Sequence, residues 1–156
     1  MQVSKLRSQI ALLVLLLAGC AGSKVSEGSK DALPDPFTLE LRAYARGQRS
    51  VYYVLERDGT LRYGGGRDAN NRLAPHTAGV LSQEERLRLW RLIVNHRLLE
   101  ARGRGLLPHG TTTYEVKLRA ASRRNSFHSA DQSVPGLDEL DRMLFQLQAH
   151  KRYRAE

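Results

Sequence analysis

Residues 50–63 read SVYYVLERDGTLRY, and their alternation decides the fold. Val51, Tyr53 and Leu55 fall on one side of an extended chain, and Leu61 and Tyr63 resume that side after Asp58 and Gly59. Asp and Gly accept the positive φ angles of a tight turn, so the stretch predicts a β-hairpin. Upstream, FTLELRAY (37–44) alternates in the same way, with Leu39 and Leu41 against Glu40 and Arg42, and Gly47 marks the turn between them. The three segments predict an antiparallel meander. Gly64, Gly65 and Gly66 end it, and Arg67–Gly79 is expected as a long loop.

Downstream, the spacing predicts two helices and a second hairpin. Ser82 with Glu85 three residues later is a capping box, in which each side chain bonds the other residue's free backbone amide. Leu87, Trp90, Ile93 or Val94, and Leu98 then recur at helical steps, with Gly103, Gly105 and Pro108 closing the pattern. Tyr114, Val116 and Leu118 alternate with Glu115, Lys117 and Arg119, and a turn near Ser122 and Arg123 returns the chain through NSFHS around Phe127. Pro135 suits a first helical turn, and Leu137, Leu140, Leu144 and Leu147 step along one face. The resulting expectation is an α+β fold, β-β-β-α-β-β-α, with a mainly antiparallel sheet of about five strands and two helices packed on one face. Tyr52, Glu40, Arg42, Arg62, Lys117 and Arg119 would then share the other face, which is expected to meet solvent.

The N-terminus reads differently. Lys5 and Arg7 precede an apolar run, Ile10–Leu17, which is too short to span a bilayer, and small residues follow. The tetrad Leu17, Ala18, Gly19, Cys20 resembles the lipobox of bacterial lipoproteins. That resemblance implies removal of residues 1–19 as a signal peptide, diacylglycerol on the Cys20 sulfur, and acylation of the new amino group, two or three chains being needed for a lasting anchor. It also implies a membrane partner through Cys20 and an envelope location. Ala21, rather than Asp, after the cysteine implies the periplasmic face of the outer membrane in a Gram-negative envelope. Residues 20–36, with AGSKVSEGSKDALPDP after the cysteine, have the Gly, Ser, Lys and Pro content of a flexible linker, with a coil span of roughly 20 to 25 Å. One globular α+β domain is expected over 37–153.

Charge and cysteine content narrow the function classes. The chain carries a formal charge of +9 and a single cysteine. With Cys20 lipidated, no thiol remains for a disulfide, a thiolate metal site or a nucleophile. An envelope address excludes nucleic acid as the reason for the basic charge and leaves anionic headgroups, an acidic polymer or an acidic envelope protein. His76, His96, His109, His128 and His150 show no metal-ligand spacing. No nucleotide motif, no GxSxG elbow and no recognisable carboxylate pair stands out, so neither a cofactor nor catalytic residues are assigned. Arg67, after the glycines, is a candidate contact for an anion. The candidate binding residues are therefore Tyr52, Arg62, Arg67, His76 and Arg119.

Residues 50–150 also resemble small bacterial domains of the emfourin type, inhibitors of thermolysin-like metallopeptidases. The resemblance rests on Leu81, Glu84 and Glu85 at a helix start, Leu89, Leu92 and Ile93, the strand Tyr114, Val116, Leu118, and a closing helix with Leu137, Leu140 and Leu144. It implies peptidase inhibition as an alternative, with no inhibitory residue carried over. The main expectation is a non-catalytic binding protein of the envelope. A hydrolase using the Arg67–Gly79 loop and His76 is the remaining alternative.

Overall fold

The computed structural model describes residues 29–44, 50–103, 112–130 and 133–155. The signal segment, Cys20, the turn at Gly47, Gly105, Pro108 and His109 lie outside the described residues. Six strands form one antiparallel sheet: β1 (Phe37–Tyr44), β2 (Val51–Leu55), β3 (Thr60–Gly65), β4 (His76–Val80), β5 (Thr113–Ala120) and β6 (Arg123–Ala130), in the order β4-β3-β2-β1-β5-β6. Three helices accompany them, α1 (Arg67–Asn70), α2 (Gln83–Asn95) and α3 (Leu137–Ala155). The α+β class and the meander stand as expected. The strand count does not: the stretch expected as a loop contains α1 and the edge strand β4.

Strict alternation in β1 buries Phe37, Leu39, Leu41 and Ala43 toward the helices. Register then aligns Tyr53 and Leu55 of β2 and Val116 and Leu118 of β5 beside them. Against this face lie Leu89, Trp90 and Ile93 of α2 and Leu137, Leu140 and Leu144 of α3, all buried. The Trp90 ring meets Phe37 edge-on, at 5.8 Å between centroids.

The α2 N-terminus is built as its sequence dictates. Glu85 N–H donates to Ser82 Oγ at 3.2 Å, and Ser82 N–H donates to Glu85 Oε2 at 2.7 Å. Lys151 of α3 also reaches Glu85 Oε2 at 2.7 Å, so the cap joins the two helices. Burial raises the Glu85 pKa, but the Lys151 bond and the Ser82 amide outweigh it and hold the carboxyl below its ordinary value. The helix ends at Asn95, earlier than the glycines at 103 and 105 suggest, with His96 at its C-cap and Arg97 at φ 52.

Residues 29–36, expected as part of the linker, are held against the domain instead. Trp90 Nε1 donates to the Ser29 carbonyl at 3.2 Å, Arg91 pairs with Asp31 at 3.1 Å, and Arg57 grips Asp35 through two bonds of 3.1 Å. Leu33 packs on the core beside them. These partners lie about sixty positions away for Trp90 and Arg91. The segment is a strap along the flank of α2 and the β2–β3 turn, continuous with β1.

Candidate functional site

The sheet face turned away from α2 and α3 carries the even-numbered positions of β1 and the odd-numbered positions of β5, and with them most of the candidate residues. Its two halves differ. Over β3 and β2 the chain folds back as α1 and residues 71–74. Gly64 makes this possible, because a Cβ there would overlap the Leu73 carbonyl. Arg62 Nε donates to the Ala74 carbonyl at 3.1 Å, and Arg42 Nη2 to the Asn70 carbonyl at 3.2 Å. Arg72 reaches further, donating to both carboxylate oxygens of Glu115 on β5 at 3.1 and 3.2 Å.

Beneath this cover most polar groups are paired, the exception being Arg42 Nε, a buried donor with no hydrogen-bond partner among the described residues. Tyr52 Oη donates to Glu40 Oε2 at 2.7 Å, and Lys117 Nζ donates to the same oxygen at 2.7 Å. Burial, and then the hydrogen bond to Glu40, push the Tyr52 hydroxyl pKa up, so it stays a neutral donor. Burial also opposes the Glu40 charge, yet its bonds to Lys117 and Tyr52 hold that carboxyl below its ordinary value. Glu115 accepts from Arg42 at 3.0 Å, with His128 Nδ1 at 3.9 Å, and the Arg42 guanidinium lies 4.4 Å from the centre of the Tyr44 ring.

The β5–β6 half is open. Arg119 sits directly opposite Arg124 across the hairpin, and both are exposed. Neither bonds to another described residue. Like charges directly across two strands repel. Lys117 lies one step along the same row.

The structure therefore separates the five candidates. Tyr52 belongs to the covered network, and Arg62 ties the covering segment down while lying 3.7 Å from Glu56. Arg67 is exposed on α1, and no bond joins it to the sheet. His76 lies on β4, 5.3 Å from the Tyr63 ring and 4.0 Å from Asp68, away from the open half. Arg119 alone of the five stands on the open β5–β6 surface, and its partner Arg124 was not among the expected residues. The turn near Ser122 carried that information: Ala120 pairs with Arg123, so the next rung outward joins 119 to 124.

Sequence reasoning also passed over a carboxylate pair. Asp138 and Asp141 stand one turn apart on α3 and line a cleft of about 470 Å³ with Tyr53, Tyr114, Arg142 and Phe145. Tyr114 Oη donates to Asp138 Oδ1 at 2.7 Å. Burial, and secondarily the Asp138 charge, push the Asp141 pKa up to about 6. The i, i+3 spacing was visible in the sequence, whereas the desolvation depends on β1, β2 and β5 closing over it. Such an acid can exchange a proton near pH 6, but the Tyr114 hydroxyl beside it is committed to Asp138.

The Asp141 shift yields a pH-dependent prediction. The folded state holds this proton more tightly than the unfolded chain, so its penalty is absent below about pH 4, grows between about 4 and 6, and is complete above. Asp141→Asn is expected to stabilise the protein at pH 7.5 by about 1 kcal/mol, after allowing for solvent screening, and to change nothing near pH 4. Urea melts of both proteins at the two pH values check this.

Among the described residues no group of three or more His, Cys, Asp or Glu side chains is arranged to hold a metal, and no helix is long and apolar enough to cross a membrane. In comparisons with known proteins, no family model matches the chain, and no curated protein matches it at a significant level.

Proposed function

We propose that this protein is a lipid-anchored, non-catalytic protein of the bacterial envelope that binds an acidic partner on the open β5–β6 face. The observation that carries the reading is the Arg119–Arg124 pair: two exposed guanidinium groups set opposite each other, neither paired with a carboxylate among the described residues. Holding like charges in register costs stability, and anionic groups supplied by a partner relieve that cost. Guanidinium groups suit this role, since each offers a planar fork of donors to a carboxylate or phosphate. The Lys117 charge is already shared with Glu40, and Arg42 and Arg72 are spent on Glu115, so among the described residues of the β5–β6 surface the unpaired guanidinium groups are those of 119 and 124. The lipobox at Leu17–Cys20 supports the anchor and the envelope address, and these in turn favour an envelope protein or an acidic polymer over nucleic acid.

Peptidase inhibition draws less support. Of the residues that carry the emfourin resemblance, all but Glu84 are buried, where they support the fold instead of touching a partner. The hydrolase alternative took the Arg67–Gly79 loop, with His76, as part of a pocket, and that stretch is α1, a covering turn and β4.

Capture from detergent-solubilised envelope tests the binding reading. Wild-type protein is expected to retain an acidic component at low ionic strength and release it in high salt. Arg119→Glu with Arg124→Glu is expected to lower recovery by about tenfold or more, roughly the loss of two charge-assisted contacts. Arg88→Glu with Arg97→Glu, the same change of charge on the helical side at two exposed residues whose side chains bond to no described residue, serves as the control and is expected to leave recovery intact. Equal recovery by the two double variants would contradict the proposal.

A further inference from the structure

The strap at residues 29–36 bears on how the domain sits at the membrane, an inference that rests on reading Cys20 as the lipid site. The first described residue, Ser29, is fixed on the flank of α2 by Trp90 Nε1, and Asp31 is fixed there by Arg91. Nine residue steps separate Cys20 from Ser29 in the sequence. At full extension nine steps cover about 30 Å, and a coil of that length averages about 16 Å. The domain has two layers, a helix layer about 10 Å across and a sheet about 10 Å from it. Setting the outer sheet face on the bilayer would require the nine steps to climb past both layers and around an edge, which consumes nearly their whole length. Setting the α2 side on the bilayer requires no such stretch.

Charge points the same way. Arg88 and Arg91 share the exposed stripe of α2, and Lys30 is exposed on the strap next to it. Neither Lys30 nor Arg88 bonds to another described residue, while Arg91 shares its charge with Asp31. Glu84 on the same stripe and Asp31 on the strap are the exposed acids of this surface, two against the three basic side chains.

We infer that the α2 side of the domain, at Lys30, Arg88 and Arg91, is the surface that lies against the anionic headgroups of the anchoring membrane. The occupant of this face is the lipid surface itself. One consequence links the two sides of the molecule: Arg119 and Arg124, across the sheet from the helices, then face away from the bilayer, where an acidic partner can reach them.

The test uses the mature chain isolated from membranes and reconstituted into nanodiscs containing phosphatidylglycerol, some of whose headgroups carry a gadolinium chelate. Amide signals of Lys30, Arg88 and Arg91 are expected to be lost to paramagnetic broadening while those of Arg119 and Arg124 persist. Lys30→Glu with Arg88→Glu, two exposed changes, is expected to abolish that contrast. Broadening concentrated at 119 and 124, or spread evenly over both sides, overturns the orientation and leaves the anchor standing. The mass of the Cys20 peptide from the same sample separates the two ideas: a bare sulfur overturns the anchor and the orientation together.

Discussion

Trp90→Ala is expected to remove about 3 to 5 kcal/mol of stability, the range for truncating a large buried aromatic side chain. For a domain of this size that corresponds to a fall in Tm of roughly 10 to 20 °C. Trp90 is 2% exposed, sits edge-on to Phe37 and packs among the α2 core residues, so the cavity left behind would lie where the strap, α2 and the start of β1 meet. A second variant separates packing from the strap. Trp90→Phe keeps most of the ring volume but removes the Nε1 donor to Ser29, and a single lost hydrogen bond costs about 1 kcal/mol. Trp90→Phe is therefore expected to shift Tm by only a few degrees while making residues 29–36 readily cleaved by protease. Calorimetry and limited proteolysis read these two effects separately. A Trp90→Phe protein as resistant to cleavage at 29–36 as the wild type would mean that the strap is held by Leu33 and the Arg57–Asp35 and Arg91–Asp31 pairs alone.

Gly103→Ala is expected to cost about 2 to 3 kcal/mol for a different reason, the overfilling of a close contact. A Cβ at 103 would overlap the His128 carbonyl, a backbone atom that cannot swing aside. The chain after α2 runs along β6 at this point, and Asn125 Nδ2 secures it by donating to the carbonyls of Leu98 at 2.8 Å and Ala101 at 2.9 Å. Arg123 adds an ion pair to Glu100. The segment thereby covers the edge of an eight-residue strand, and a bare strand edge is a template for pairing with another chain. Gly103→Ala should therefore lower the urea midpoint and promote self-association, measurable by chemical melts and by light scattering. An unchanged midpoint with a monomeric scattering mass would show that the edge is not protected by this contact.

How much of this was legible in the sequence depended on whether one residue's environment is set by its neighbours or by distant chain. FTLELRAY could be read directly as β1, since burying one face of a strand forces a period of two. Ser82 and Glu85 announced the start of α2 because a capping box is complete within four residues. Leu137, Leu140, Leu144 and Leu147 likewise exposed the buried stripe of α3. Strand β4 escaped because HTAGV buries only Ala78 and carries Gly79 at φ 147, so it has neither alternation nor strong β propensity. Helix α1 is four residues long and makes no side-chain cap, so there was no local signal to find.

The strap illustrates the harder limit. Its composition is that of a linker, and what holds it are Trp90, Arg91 and Arg57, whose proximity arises only when α2 and the β2–β3 turn are in place. The candidate site divides in the same way. Assigning Arg119 to the outer face needed only the alternation of β5, but that no described carboxylate pairs with it could be seen only once Arg42 and Arg72 were placed on Glu115. Desolvation of Asp141 is likewise a property of the assembled cleft.

The proposed anchor at Cys20 is what would give the basic surfaces their context, and the most direct test of the account is the intact mass and N-terminal peptide mass of the protein recovered from its native cells. The account predicts membrane-fraction material that begins at residue 20 and carries diacylglycerol on the sulfur. Soluble material that retains residues 1–19, with an unmodified thiol at Cys20, would contradict it.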